Sequence, residues 1–586
     1  MSIATEMPRP LVKPKLGRDD WTQRSFMLVI AIYLVIALAL PLFAMLSKAF
    51  STYYFDLSQF EVQVSDESGA YNTPIQSIES LNDTLVEFDA QDLATNNNGR
   101  LGITELFPDY SFRSAVMYKF RGTNVEAVYL IGSERKTGPE WQELDSNTFR
   151  RVVIRPMRDV GISNFVTYFS TPALFQSVKN SLWIAVISTV ITVTLAFWFA
   201  YALARSCMRF KAGFRMIAML PILVPSLLPG IALVYLFGNQ GMLRVFLMGE
   251  SIYGPIGIVI GSVFFTFPHA MIIISTALAI SDARLYEAAI SLRASRWKTF
   301  WTVTIPGARY GLFSAAFVVF NLVITDFGLP KVIGGKFNVL AVDIYKQVIG
   351  QQNFEMGAVV SVVLLLPAML AFGIDRQMQK KQVAVLSARS VVFDPKPSRK
   401  IDRLFFVYSA LVAIFIVGII AVCQFAALIK FWPYDLSLSL RNYNFDLMDG
   451  GGWKAYENSI TLASLTAIIG TVIVFLGAYM VEKIKGFEKG RAMFQMLAML
   501  PMAIPGMVLG LAYIFFFNDP SNPLYFIYGT MIILVVSTVT HFYTVSHLTA
   551  VTSLKQMDLE FESVSASLKQ PFHKLLVQVT VPVSMP

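Results

Sequence analysis

Charge is what this chain has least of. Asp, Glu, Lys and Arg together make up 15% of its 586 residues, against about 25% in a typical soluble domain, which excludes both an ordinary water-soluble core and a charge-rich disordered chain. Cysteine is almost missing: Cys207 lies at the end of a hydrophobic run and Cys423 inside another, so neither a disulfide framework nor a thiolate metal site is supported. The four histidines are scattered and build no metal-ligand cluster. No Ser, His and Asp set converges on a nucleophile. A phosphate-cradling G-x-x-x-x-G-K-[ST] loop is also lacking, because Gly334-Gly335-Lys336 has Pro330 where the first glycine belongs. The sequence therefore gives no sign of nucleotide hydrolysis, and no cofactor is expected on this chain.

Hydrophobic residues fill the space, at 55% of the chain with a mean hydropathy of +0.56. They gather in runs at about 25–47, 182–204, 214–237, 255–280, 311–329 and 357–374, and again at about 404–428, 460–481, 492–517 and 526–551. Each run is near the twenty residues that a helix needs to cross about 30 Å of hydrocarbon. The net charge of +9 comes from Lys and Arg lying between these runs, a placement that fits the positive-inside rule rather than nucleic acid. The first twenty-four residues carry Arg9, Lys13, Lys15, Arg18 and Arg24 against three acids. The run that follows is longer than a signal-peptide core and lacks a small-residue cleavage pattern, so it reads as a retained span with its N-terminus in the cytoplasm.

Between the first two runs the charge reverses, with seventeen acids against ten Lys and Arg from Ser51 to Ser170. That stretch belongs on the outer side. Alternation at Glu61–Val64 and Arg151–Ile154, and a pair of runs at 115–121 and 125–130 across Gly122-Thr123-Asn124, predict a small β-rich domain. Asn96, Asn98, Gly99, Leu101 and Glu105 fall in calcium-loop register, but Ala94 occupies the position of the first ligand. A plain Asn/Gly turn is the simpler account.

The segment Ser281–Pro306, SDARLYEAAISLRASRWKTFWTVTIP, is basic and amphipathic and lies between two candidate spans. Ser281 and Asp282 suit a helix N-terminus, Leu285, Ala289 and Leu292 recur on one face, and Pro306 is expected to stop the run. An interfacial helix on anionic head groups would have this character. However, Glu287-Ala288-Ala289, Ser291-Leu292, Arg296-Trp297, Phe300 and Ile305-Pro306 resemble the E-A-A coupling loop of binding-protein-dependent ABC importer permeases. The resemblance implies a short helix that docks in a groove of a cytoplasmic ATPase. The family usually has glycine where this chain has Arg293.

The later runs repeat the earlier ones. Asn180-Ser181 and Tyr201 recur at an offset of 278 as Asn458-Ser459 and Tyr479, and Leu220-Pro221, Pro225 and Gly230 recur at an offset of 280 as Leu500-Pro501, Pro505 and Gly510. Asp282, Leu292 and Pro306 recur at an offset of 276 as Asp558, Leu568 and Pro582. Two parallel units follow. The second loop, 558–582, is worn: Glu562 remains, Ser563 stands in the place of Glu287, and Lys569 replaces the family glycine.

Candidate pathway residues are Pro221, Pro225, Pro501 and Pro505, whose freed backbone groups need protein or water as partner, and Asn321, Thr325 and Asp326. The prolines either mark a pathway or are packing kinks. Asp326 either faces a cationic solute or caps a helix break before Pro330. Two fused units, Thr325-Asp326-Phe327-Gly328 and the run Lys331–Asn338 continuing through Tyr345–Asn353 resemble importers of the iron(III), thiamine and 2-aminoethylphosphonate group, with the 2-aminoethylphosphonate permeases nearest.

The expected molecule is an all-α polytopic membrane protein of two tandem permease units. Its parts are a cytoplasmic tail (1–24), a first span (25–48), a periplasmic β-rich insertion (49–171), a first core with its loop (172–375), a cytoplasmic linker (376–403), and a second unit (404–586) whose C-terminus looks incomplete beside the first. The resemblance implies a bacterial inner-membrane importer subunit with a periplasmic solute-binding protein and two ATPase subunits carrying ATP and Mg. The expected solute is 2-aminoethylphosphonate, with iron(III) or another small solute as the alternative. An ion-driven secondary transporter would also use repeats, but it would want mid-span acids and no docking loop.

Overall fold

The computed structural model describes residues 18–64, 73–75, 110–111, 117–121, 124–130, 134–137, 140–143, 151–280, 283–385, 395, 397–445, 451–483, 487–555, 557, 560–568 and 570–584. Among them, eight helices are long and apolar enough to cross a membrane, or ten if each of two bent helix pairs counts as one span.

The chain begins with α1 (Arg18–Leu34), a π-helical turn at Val35–Ala39 and α2 (Leu40–Ala49). Strands β1 (Ser51–Val64), β2 (Thr73–Ile75), β3 (Tyr110–Ser111), β4 (Met117–Arg121), β5 (Asn124–Leu130), β6 (Glu134–Thr137), β7 (Glu140–Glu143) and β8 (Arg151–Val160) follow. The helices α3 (Ser163–Ser170), α4 (Pro172–Arg205), α5 (Lys211–Met219), α6 (Leu227–Phe237) and α7 (Pro255–Ile280) lead to the two loop helices α8 (Ala283–Ser291) and α9 (Arg296–Thr299). Then come α10 (Ile305–Ile324), α11 (Gly328–Ile333), α12 (Leu340–Tyr345), α13 (Phe354–Val385) and α14 (Arg399–Ala427), and a hairpin of β9 (Ile429–Phe431) and β10 (Asp435–Leu438). The remainder is α15 (Gly452–Lys483), α16 (Glu488–Met499), α17 (Gly506–Phe517), α18 (Met531–Lys555), α19 (Glu560–Ser567), α20 (Phe572–Leu575) and α21 (Val581–Ser584).

The insertion contains a five-stranded antiparallel sheet in the order β2-β1-β8-β5-β4 and a three-stranded sheet β3-β6-β7. The expected hairpin is present, with Arg121 paired to Asn124 and Met117 to Tyr129. Ser51 pairs with Val160, and Gly161 N–H donates to Phe50 O at 2.9 Å, so the insertion leaves and rejoins the helices at one point. The calcium-register residues 94–105 lie outside the described residues.

The chain divides into two compact units. One comprises residues 43–453 and 505–525. In it α4, α7 and α10 pack on one another, and α10 also packs on α13. Gly311 of α10 permits the approach, since a Cβ there would lie 2.3 Å from the Ala277 Cβ. Helix α14 lies against α4, α5 and α6, with Tyr408 Oη donating to Leu195 O at 2.7 Å. The other unit comprises residues 1–42, 454–504 and 526–586. There Met27, Ile30 and Leu34 of α1 share a core with Ala478, Tyr479, Phe494, Tyr543 and Leu554, and Tyr33 Oη lies 3.0 Å from Thr540 Oγ1. Each repeat therefore lends its leading span to the helices of the other.

Helix α4 starts at Pro172, where proline suits a first helical turn, and so extends beyond the hydropathy run that begins near position 182. The run at 214–237 is two segments, Lys211–Leu223 and Leu227–Phe237, bent by 102°. Pro225 forces the residue before it out of the α region, and Val224 has φ −103°, ψ 133°.

Candidate functional site

The loop 281–306 contains α8, a tight turn, α9, a π-helical turn at Phe300–Thr304 and then the start of α10. Its expected N-terminal residues Ser281 and Asp282 lie outside the described residues. Helix α8 ends in a Schellman motif: Ala294 N–H donates to Ala289 O and Arg293 N–H to Ile290 O, both at 2.9 Å. The motif needs a left-handed residue, and Arg293 supplies it with φ 52°. Glycine would adopt that conformation without Cβ strain, which accounts for the glycine common at this position in the resembling family. Ser295 then caps α9, accepting from Lys298 N–H at 3.2 Å.

The buried face of α8 is Ala283, Tyr286 and Ala289. Of the apolar stripe Leu285, Ala289 and Leu292, Ala289 is buried, whereas Leu285 and Leu292 are exposed, Leu292 at 81%. Glu287, Ala288 and Arg293 are exposed as well. Ile290 and Trp297 are exposed too, so the outward side of the loop carries large apolar side chains together with Arg284, Glu287 and Arg293. Trp297 stacks on Phe300, and Phe300 on Trp198 of α4 (centroids 5.9 and 5.6 Å), so the aromatic half of the loop is fixed to a span. Pro306 does not stop the run. It sits in the first turn of α10, where a missing N–H costs nothing.

Backbone hydrogen bonds of the first loop recur in the second at an offset of 276. Leu292 N–H to Ala288 O becomes Leu568 N–H to Val564 O, and Ala294 N–H to Ala289 O becomes Gln570 N–H to Ser565 O. The π-helical turn at Phe300–Thr304 becomes Leu576–Thr580, and Pro582 again lies just beyond it, in α21. Asp558 and Lys569 lie outside the described residues. Pro571 replaces the Ser295 cap, and Asp19 of α1 takes over, accepting from Phe572 N–H at 3.0 Å.

Each loop helix is held from behind by the last residue of a span. Arg205 ends α4; its guanidinium donates to Leu278 O at 2.8 Å, reaches the Tyr286 hydroxyl at 3.4 Å and lies 4.8 Å from the Tyr286 ring centre. Tyr286 Oη donates to Thr304 Oγ1 at 3.1 Å. Lys483 ends α15 and forms a largely buried ion pair with Glu562. Glu562 thus faces inward in the place of Tyr286, while the place of exposed Glu287 is taken by Ser563.

The proline candidates lie at two separate helix breaks. Pro221 is buried in a 3-10 turn, Leu220–Leu223, closed by Val224 N–H to Pro221 O, and Pro501 in the matching turn Leu500–Ala503, closed by Ile504 N–H to Pro501 O. Pro225 and Pro505 follow each turn and begin α6 and α17. Thr325 ends α10 by donating its hydroxyl to Asn321 O at 2.8 Å, and the Asn321 Oδ1 is buried without a hydrogen bond. Asp326 accepts from Gly328 N–H at 3.2 Å and lies against Ser226, the residue in the break. Gly328 allows this approach, because a Cβ would sit 2.5 Å from Ser226 Oγ. Leu329 then fills a hole between Gly230 and Gly261. The Asp326 carboxylate is thus turned onto the backbone of α11.

Arg205, Lys483, Tyr286, Ser226 and Leu329 escaped sequence reasoning. A signal existed for the first two, since Arg205 and Lys483 keep the same offset as Tyr201 and Tyr479.

Residues 193–384 match the family model for the binding-protein-dependent transport system inner membrane component. The ferric transport system permease protein FbpB of Actinobacillus pleuropneumoniae is 28% identical over 429 residues, 70% of this chain and 61% of that protein, so the chain spans less than two thirds of that relative's length. The molybdenum transport system permease protein ModB of Azotobacter vinelandii is 31% identical over 180 residues, 29% of this chain and 80% of ModB. Among solved structures, a bacterial alginate ABC transporter in complex with an alginate pentasaccharide-bound periplasmic protein has a chain that matches with TM-score 0.32 and 16% identity, over 38% of this chain and 84% of that one.

Proposed function

Since the chain belongs to the family of binding-protein-dependent transport system inner membrane components, we propose that it is the permease subunit of an ATP-driven importer whose two loop helices receive the force of separate ATPase subunits. The observation that carries this is the loop itself. It occurs twice with matching backbone hydrogen bonds at the end of its helix and a π-helical turn, and in the first copy it exposes Leu285, Ile290, Leu292 and Trp297 as well as Glu287. Large apolar side chains exposed together on one short loop are what a partner covers.

The proposed orientation follows charge and span parity: the basic N-terminal tail and both loops lie in the cytoplasm, and the acidic β-rich insertion lies in the periplasm. A periplasmic binding protein brings the solute, and ATP with its Mg is held by two cytoplasmic ATPase subunits. Their closure on ATP moves α8 and α19 and tips the helices behind them, which opens the pathway outward. Glu287 and the apolar side chains beside it make the grip at α8. The broken helix Lys211–Leu223 and Leu227–Phe237 lines the pathway, since backbone groups left open at membrane depth need water or protein partners.

For the solute we take iron(III) first and 2-aminoethylphosphonate second. The ferric permease match over 429 residues supports the former; the latter rests on the likeness around Thr325–Gly328 and Lys331–Asn338. The test is co-purification with an ATPase, followed by ATP turnover with binding proteins loaded with iron(III) or 2-aminoethylphosphonate. Stimulation by one loaded protein, lost in E287K, is expected. Unchanged ATPase association and uptake in E287K would refute the docking role.

A further inference from the structure

The two loop helices are held by different chemistry, and that difference lies at matching positions. Arg205 and Lys483 are each the last residue of a long helix and stand at one repeat offset from each other, and Tyr286 and Glu562, which face them, do the same. In the first copy the guanidinium serves three partners at once: the Leu278 carbonyl at the end of α7, the Tyr286 hydroxyl and the Tyr286 ring face. The Tyr286 hydroxyl passes the contact on to Thr304 in the π-helical turn. A planar fork with five fixed donors and a stacking face suits this arrangement better than an ammonium point charge. In the second copy Lys483 meets Glu562 directly, with side-chain exposures of 6% and 17%. There the helix is held by opposite charges, and removing either one leaves the other buried without compensation.

We propose that Arg205 and Lys483 are positioning residues that transmit motion of each loop helix to the span behind it, and that the second connection works only as an intact ion pair. The multidentate connection at Tyr286 survives loss of the hydroxyl and its two contacts, because the Arg205 guanidinium still bonds the Leu278 carbonyl and lies over the ring face, and the Trp297–Phe300–Trp198 stack still holds the turn. At α19 the side-chain contact matching that of Tyr286 is the Lys483–Glu562 pair, while the turn beyond it is held separately by Asp19 and by Phe572 in the core. The two levers therefore contribute unequally to coupling, and the second is the more sensitive to substitution. This builds on the importer reading.

The experiment uses the full chain in nanodiscs with its co-purified ATPase, reading the ratio of ATP turnover with loaded binding protein to turnover without it. E562Q and K483M are each expected to lower that ratio at least tenfold while the ATPase still co-purifies. The exchanged pair K483E/E562K should recover it to within threefold of the parent, and Y286F should change it by less than threefold. An unchanged ratio in both single variants overturns the proposal, as does an exchanged pair that inserts and binds the ATPase yet stays as uncoupled as the singles. If the single variants fail to insert, the exchanged pair decides alone by the same criterion. Should the unaltered chain bind no ATPase, the importer reading fails separately. Hydrogen exchange across Glu560–Ser567 then tests the connection by itself: at least tenfold faster exchange in E562Q supports it, and unchanged exchange overturns it.

Discussion

Arg293 offers the sharpest quantitative test of the loop geometry. Its φ of 52° places a residue with a Cβ in the left-handed region, at a cost of about 1–2 kcal/mol. Glycine escapes that cost but returns about 0.4–1 kcal/mol of freedom to the unfolded chain. R293G should therefore tighten the end of α8 by about 0.5–1 kcal/mol, roughly a two- to fivefold factor. Backbone hydrogen exchange in nanodiscs reads this at Arg293 and Ala294, whose N–H groups close the motif on Ile290 and Ala289. R293A keeps the strain and loses the side chain, so its exchange should match the parent. R293V, β-branched and poorly suited to positive φ, should exchange faster. Equal slowing in R293A and R293G would show that the side chain, not the backbone, sets the effect, and faster exchange in R293G would refute the reasoning outright.

Three further outcomes follow from the break and the segment beyond it. G261A places a methyl 2.5 Å from a methyl of Leu329, a side chain that is 1% exposed; a loss of about 1–3 kcal/mol is expected, read as a lower melting temperature in detergent, and L329A added to it should cost less than the sum of the two. Asp326 acts as the acceptor for Gly328 N–H, so D326A should cost about 1 kcal/mol while D326N holds both stability and uptake; uptake abolished in a stable D326N would instead place Asp326 on the solute. Asp343, outside the spans and 4% exposed, has its pKa raised by burial, opposed by the Ser177 hydroxyl and the Lys346 ammonium. The native state thus keeps a proton the unfolded chain has released, and stability falls as pH rises above the ordinary value of 3.8. D343N should flatten that slope and raise the melting temperature at neutral pH, whereas an unchanged slope would assign the dependence elsewhere.

Much of the helical frame was legible from the sequence. The ten hydrophobic runs correspond to the eight spanning helices and two bent pairs among the described residues, and the offsets of 276 and 280 return as matching hydrogen bonds and 3-10 turns. What hid was anything decided by a partner distant in sequence. Periodicity marks an apolar stripe without telling whether the protein or a partner covers it, so the exposure of Leu285 and Leu292 beside buried Ala289 was not readable. Glu562 read as a survivor of the E-A-A motif because its pairing with Lys483, on a helix far earlier in the chain, leaves no local trace. Hydropathy cannot see a 102° bend, since both arms of the broken helix are apolar. Nor does chain order reveal that α1 packs with α15, α16 and α18, because any apolar span face can bury against any other.

The central claim is that α8 faces the cytoplasm and is gripped there by an ATPase. A cysteine at position 287 (E287C), with Cys207 and Cys423 replaced by serine and alanine, tests it directly through an impermeant maleimide in sealed vesicles of both orientations. Labelling confined to inverted vesicles and suppressed by bound ATPase is the predicted result. Labelling from the outer side, or labelling that the ATPase leaves unchanged, would contradict it.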